Sequence, residues 1–246
     1  KTYDGLCMAV AFGAIGVIDE YISILKTRNL GVTERQKLVL QFAVVAAYLA
    51  SVAFAGGATH TTIPFVGQVD LGWLYYPLAA VVIVGVVNAV NFTDGIDGLN
   101  TTVSFFAFLS LALCAGLLSM TGLSAMGLAS AAACIGFLIW NWHPAKVFMG
   151  DTGSLFMGGM VCALAFGMDL PLLLLPVGFV YLCEILSVVL QVTYFKATHG
   201  KRLFKMSPIH HHFEMCGWSE VKICLVFGLV ALLGGAVAIL CVAFGM

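Results

Sequence analysis

From Ile223 to Met246 the chain carries no charged side chain. A run of that length and polarity has the dimensions of a helix crossing the hydrocarbon layer. Similar windows lie near 4–25, 38–56, 73–90, 101–119, 125–140, 154–168, 171–191 and 222–245, so about eight transmembrane helices are expected. With 61% hydrophobic and 9% charged residues and a mean hydropathy of +1.05, the chain reads as an all-α, polytopic integral membrane protein. Its net charge of −1 offers no basic surface for nucleic acid. No repeat or low-complexity linker divides it, so 1–246 is expected to be a single transmembrane domain. It opens at Lys1 without an initiator Met or a signal-peptide pattern, and a trimmed start with further spans upstream is the expectation. The eight cysteines form no CxxC pair and read as small buried hydrophobes.

Orientation follows from the cations. Lys26, Arg28, Arg35 and Lys37 follow the first span, Lys146 the fifth, and Lys196, Lys201, Arg202 and Lys205 the seventh, while Lys222 opens the last. If spans alternate in direction, all of these fall on one side and only Lys1 on the other, which marks the richer side as cytoplasmic. The loop 57–72, without Lys or Arg, is then an outer hairpin. The same parity brings Asp19 and Glu20, Asp94 and Asp97, Asp151, and His210, His211 and His212 to the cytoplasmic ends.

Each cluster admits a chemical and a plainer reading. Asp19 and Glu20 end an apolar run, where an acid is costly unless paired or hydrated; pairing with Lys26 or Arg28 is the plainer account. In NAVNFTDGIDGLN, Asp94 and Asp97 share a face if helical, with Asn88 and Asn91 nearby and Gly95 open to close approach. Such oxygen donors suit Mg²⁺ or a nucleotide, although the spacing is not that of an EF-hand. In NWHPAKVFMGDTGSL, Asp151 lies among glycines with the Thr152 and Ser154 hydroxyls at a helix start, a setting for a phosphate–metal pair. Phe148 offers a ring face to a base or packs at the membrane interface. The three histidines of MSPIHHHFEMCGWSE cannot all face one metal from a regular element, so phosphate contact or proton handling suits them better. The neighbouring lysines also suit anionic lipid headgroups. Glu184, inside the seventh span, reads as a polar helix–helix contact or as the ionisable group of a transporter. Because acids alone would repel phosphates, a bridging divalent cation is implied. Phosphoryl transfer between a nucleotide-linked donor and a lipid phosphate fits this combination.

At NAVNFTDGIDGLN, FMGDTGSL and MSPIHHHFEMCGWSE the chain resembles the phospho-N-acetylmuramoyl-pentapeptide transferases of the polyprenyl-phosphate N-acetylhexosamine-1-phosphate transferase superfamily. The likeness runs from about Gly13 to Lys222, and the triple histidine followed by Phe-Glu separates this family from relatives using other UDP-sugars. The resemblance implies a bacterial inner-membrane enzyme of ten helices, of which this chain matches the third to the tenth. It implies attack of undecaprenyl phosphate on UDP-N-acetylmuramoyl-pentapeptide, with Mg²⁺, to give lipid I and UMP. Membrane lipid surrounds it, and a homodimer is the assembly considered. By motif, Asp151 would be the Mg²⁺ ligand and Phe148 would stack on uracil. Asn88, Asn91, Asp94, Gly95, Asp97 and Asn141 would line the nucleoside site. Asp19 would be the proposed base, and His210, His211 and His212 would sit near the diphosphate.

The family's Asp-Asp-x-x-Lys reads Asp19-Glu20-Tyr21-Ile22-Ser23 here, so another cation, from Lys26, Arg28, Arg35 or Lys37, is expected to replace the lysine. A phosphate monoester, with a second pKa of about 6, is mostly dianionic at neutral pH, so a base has little to remove. Direct attack with Asp19 orienting is therefore favoured over a covalent aspartyl-phosphate. The alternatives are a related UDP-N-acetylhexosamine-1-phosphate polyprenyl transferase, a prenyltransferase, whose DxxxD motif does not occur, or a transporter using Glu184.

Overall fold

The computed structural model describes residues 2–26, 31–56 and 59–245, so Lys1, Arg28 and the side chain of Lys26 lie outside the described residues. In chain order the helices are α1 (Thr2–Lys26), α2 (Glu34–Phe54), α3 (Tyr75–Phe92), α4 (Leu99–Leu117), α5 (Thr121–Asn141), α6 (Gly150–Gly167), α7 (Leu174–Val177), α8 (Phe179–Ala197), α9 (Ile209–Glu214) and α10 (Glu220–Gly245). Among the described residues, seven are long and apolar enough to cross a membrane: α1, α2, α3, α4, α5, α8 and α10.

The expected span at 154–168 is α6, which falls outside that set because its first turn is polar. Instead it fills the middle of the bundle, packed on α1, α3, α4 and α5, with every residue from Gly158 to Gly167 buried. Lipid tails are as apolar as leucine, so helices in a membrane associate mainly through close packing, which small residues permit. Gly16 lets α1 cross the start of α6 where a Cβ would come within 2.4 Å of the Thr152 nitrogen. Gly158 brings α6 against α3 in the same way, 2.7 Å from the Val87 Cα. On the lipid side, Leu225, Leu229, Leu232, Leu233 and Leu240 of α10 are exposed, as that packing rule allows.

The span expected at 171–191 is broken. Pro176 lacks a backbone N–H, and the short α7 gives way at Gly178 to α8. The segment between α2 and α3, expected to be an outer hairpin, carries the only strands among the described residues, β1 (His60–Ile63) and β2 (Gly67–Asp70), antiparallel with His60 opposite Asp70. Hydrogen bonds from Thr62 N–H to the Asp169 carbonyl and from Phe65 N–H to the Gly245 carbonyl tie it to the ends of α6 and α10. The other end of the bundle gathers the C-termini of α1, α3, α5 and α8 with the N-termini of α2, α4, α6 and α10.

Candidate active site

The α2 start is fixed by a capping box in which Thr33 Oγ1 accepts from Gln36 N–H and Gln36 Oε1 accepts from Thr33 N–H. One turn on, Lys37 reaches inward. Its Nζ donates to Asp151 Oδ2 at 2.5 Å and lies 3.1 Å from Asp19 Oδ2. Asp19 Oδ1 accepts from Val32 N–H at 2.7 Å, so the turn after α1 is pinned to the same carboxylate. Asn91 Nδ2 lies 2.8 Å from both Asp151 Oδ1 and Ser154 Oγ, and Ser154 donates back to the Gly150 carbonyl. Lys37, Asp19, Asp151, Asn91 and Ser154 thus form one network from four helices.

Glu20 takes the end of α6. Its Oε2 accepts from Thr152 Oγ1 at 2.7 Å and its Oε1 from Thr152 N–H at 3.3 Å, satisfying a helix-start amide. Asp94, half-buried in the loop between α3 and α4, is pushed up to about 6. Burial is the main cause and the Asp151 charge adds to it, while hydrogen bonds from Gly150 N–H and Asn100 oppose it. Asp97 works as a latch. Its Oδ2 accepts from Ala145 N–H at 2.9 Å and lies 3.1 Å from His143 Nδ1, while its N–H donates to Glu220 Oε2. Asp97, His143 and Glu220 present ligand atoms within 4.8 Å of one another, a group able to hold a cation. The latch joins the α3–α4 loop, the α5–α6 loop and the start of α10.

The α5–α6 loop hangs from Asn141, only 3% exposed, whose Oδ1 accepts from Thr101 Oγ1 and whose Nδ2 donates to the Val147 carbonyl. That clamp leaves the next residue, Phe148, 73% exposed at the site's edge. His210 is fully enclosed with Nδ1 3.0 Å from Glu184 Oε2, and His211 Nδ1 meets Glu214. Both turn Nε2 toward Gly95. His212 faces the other way, accepting from Lys205 N–H.

The sequence of residues 4–169 matches the family model for glycosyl transferase family 4. A phospho-N-acetylmuramoyl-pentapeptide-transferase of Halalkalibacterium halodurans is 44% identical over 95% of this chain and 72% of its own length. Those of Listeria welshimeri, 42% identical over 95% and 72%, and Bacillus thuringiensis, 44% over 93% and 70%, are similarly related. The chain belongs to this transferase family.

Within a family-4 transferase the departures at positions 20 and 23 take on structural meaning. Lys37, from α2, supplies the cation between the carboxylates, whereas Arg35 is exposed. Glu20 spends its extra methylene reaching the α6 start. The network gathers Asp19, Asn91 and Asp151, with Asp94 beside Asp151, and the Gly95 loop brings in His210 and His211. Asn88 stands apart, one turn deeper, donating to Gln41 Oε1 at 2.6 Å and so bridging α2 and α3. Asn141 and His212 point into the loops they hold. Glu184, considered for transport, is enclosed against His210. Sequence reasoning missed His143 and Glu220 as partners of Asp97; the only local signal was an acid opening the last span.

Proposed function

We propose that this chain transfers phospho-N-acetylmuramoyl-pentapeptide from its UDP-linked donor to undecaprenyl phosphate, releasing UMP and forming lipid I. The reaction would run at the cytoplasmic face of a bacterial inner membrane, within a single domain of the chain. The observation that carries this reading is the Lys37-bridged pair Asp19 and Asp151 beside the Asp94–Gly95 loop, on a chain whose relatives bear that name.

The donor set fits Mg²⁺. Asp151, a hard oxygen donor that meets Lys37 and Asn91 at the centre of the network, would hold the ion, which would neutralise diphosphate charge. Lys37 holds positive charge where phosphate oxygens gather, Asn91 fixes the Asp151 carboxylate, and Asp97 and Asn141 hold the loop that carries Phe148. An apolar cavity of about 430 Å³ between α3, α7 and α8, lined by Tyr75, Val82, Phe166, Leu175 and Leu182, suits a polyprenyl chain.

Asp19 orients rather than attacks, in keeping with both its oxygens being engaged by Val32 N–H and Lys37. Asp19→Asn is therefore expected to retain measurable turnover, since the amide oxygen still accepts one of these bonds. A phosphosugar adduct trapped on Asp19 would sink the direct route. Phe148→Ala should raise the donor KM roughly 5- to 150-fold, the equivalent of about 1–3 kcal/mol of base stacking. Its Tm should stay at the wild-type value because the ring is exposed, and an unchanged donor KM removes the stacking role. The reaction itself is tested by incubating the full-length protein in detergent with UDP-sugar donor, polyprenyl phosphate and Mg²⁺. UMP is expected, and its absence with all three present would overturn the proposal.

A further inference from the structure

Two glutamates stand behind the histidine pair. Glu184 of α8 and His210 of α9 are both fully enclosed, with Glu184 Oε2 3.0 Å from His210 Nδ1. Glu184 Oε1 and His210 Nε2 have no hydrogen-bond partner among the described residues. Enclosed polar atoms of this kind are costly and call for a reason. The geometry supplies one. His210 Nε2 lies 2.2 Å from the position that a Cβ on residue 95 would occupy, and Cε1 lies 2.7 Å from it, so the ring presses on the Gly95 backbone. His211 stands alongside, ring centroids 4.1 Å apart, its Nδ1 held by Glu214 and its Nε2 3.3 Å from the same point. The outer face of Gly95 is exposed.

We infer that Glu184 is a positioning residue for the donor site. Glu184 Oε2 stands where it accepts from Nδ1, so Glu184 keeps the hydrogen of His210 on Nδ1 and prevents the ring from turning over. The fixed ring then acts as the floor of the loop 93–98, setting the height at which Asp94 and Gly95 meet the donor's nucleoside diphosphate. Glu184 never touches substrate; it acts from α8 through His210. Glu214 does the same for His211 at the loop's side.

The kinetic arm rests on the transferase reading, and the spectroscopic arm does not. In ¹⁵N-histidine-labelled full-length protein without substrate, the His210 resonances are expected to report a hydrogen on Nδ1. A bare Nδ1 in the wild type would overturn the inference whatever the enzyme's activity. Glu184→Gln should lower kcat/KM for the UDP-linked donor by about 10- to 100-fold, the scale of a misplaced binding group. The loss should fall on the donor KM, with the polyprenyl phosphate KM unchanged and Glu184→Asp recovering part of it. A merely structural role would disturb both substrates alike. Equal changes in the two KM values, or a wild-type donor KM in Glu184→Gln, would also overturn it. Absence of UMP release from the wild type, by contrast, would count against the transferase reading alone.

Discussion

Lys37→Met is expected to cost on the order of 10²- to 10³-fold in kcat, the range seen when one preorganised charge-stabilising group is removed from an active site. Nζ lies 2.5 Å from Asp151 Oδ2 and 3.1 Å from Asp19 Oδ2, so methionine fills the space and leaves two facing carboxylates without their cation. The sign of a second effect separates this from general damage. More uncompensated negative charge attracts a dication, so the Mg²⁺ concentration giving half-maximal rate should fall in the variant while kcat falls too. UMP release titrated against Mg²⁺ measures both quantities. A wild-type kcat would make the ammonium a passive ion-pair partner.

Gly95→Ala should be nearly as severe. The added methyl meets an imidazole that is fully enclosed and held by Glu184, so the clash cannot be relieved by swinging a free side chain. The loop must lift instead. Overpacking of this sort costs about 1–3 kcal/mol in stability, yet a displacement near 1 Å at the donor site is worth about 100-fold in kcat/KM. Calorimetric titration with a uridine nucleotide and donor kinetics should therefore fall together while Tm moves only a few degrees. Because the closest clash is with the His210 ring, Gly95→Ala should cost much less in a His210→Ala background than in the wild type. Full additivity would place the origin of the effect elsewhere.

The spans were legible because lipid permits few solutions to the backbone's hydrogen bonds. Charge asymmetry was enough to gather Asp19, Asp94, Asp97, Asp151 and the histidines at one end. What a linear reading misses is pairing across the bundle. Lys37 stood equal with Lys26, Arg28 and Arg35 until α2 was laid against α1. Asn88 and Asn91 look alike in NAVN, but one turn of helix sets them at different depths, one beside Gln41 and the other beside Asp151. Glu184 read as a polar helix–helix contact or a transporter's acid, with no partner named, because that partner lies twenty-six residues on, in another helix. Position 154–168 read as an ordinary span, whereas α6 trades apolarity for a polar first turn, which an enclosed helix can carry.

Glu20 occupies the positive end of that helix. A free helix start invites a phosphate, but here a carboxylate already accepts from the Thr152 amide and hydroxyl. An incoming diphosphate thus finds a guarded doorway, and its welcome must come from the side, through Lys37 and the divalent ion that Asp151 would hold under the proposed function. In such a design a free phosphate is a poor visitor, because only a ligand that brings its own cation, or a nucleoside to anchor it, overcomes the resident anion.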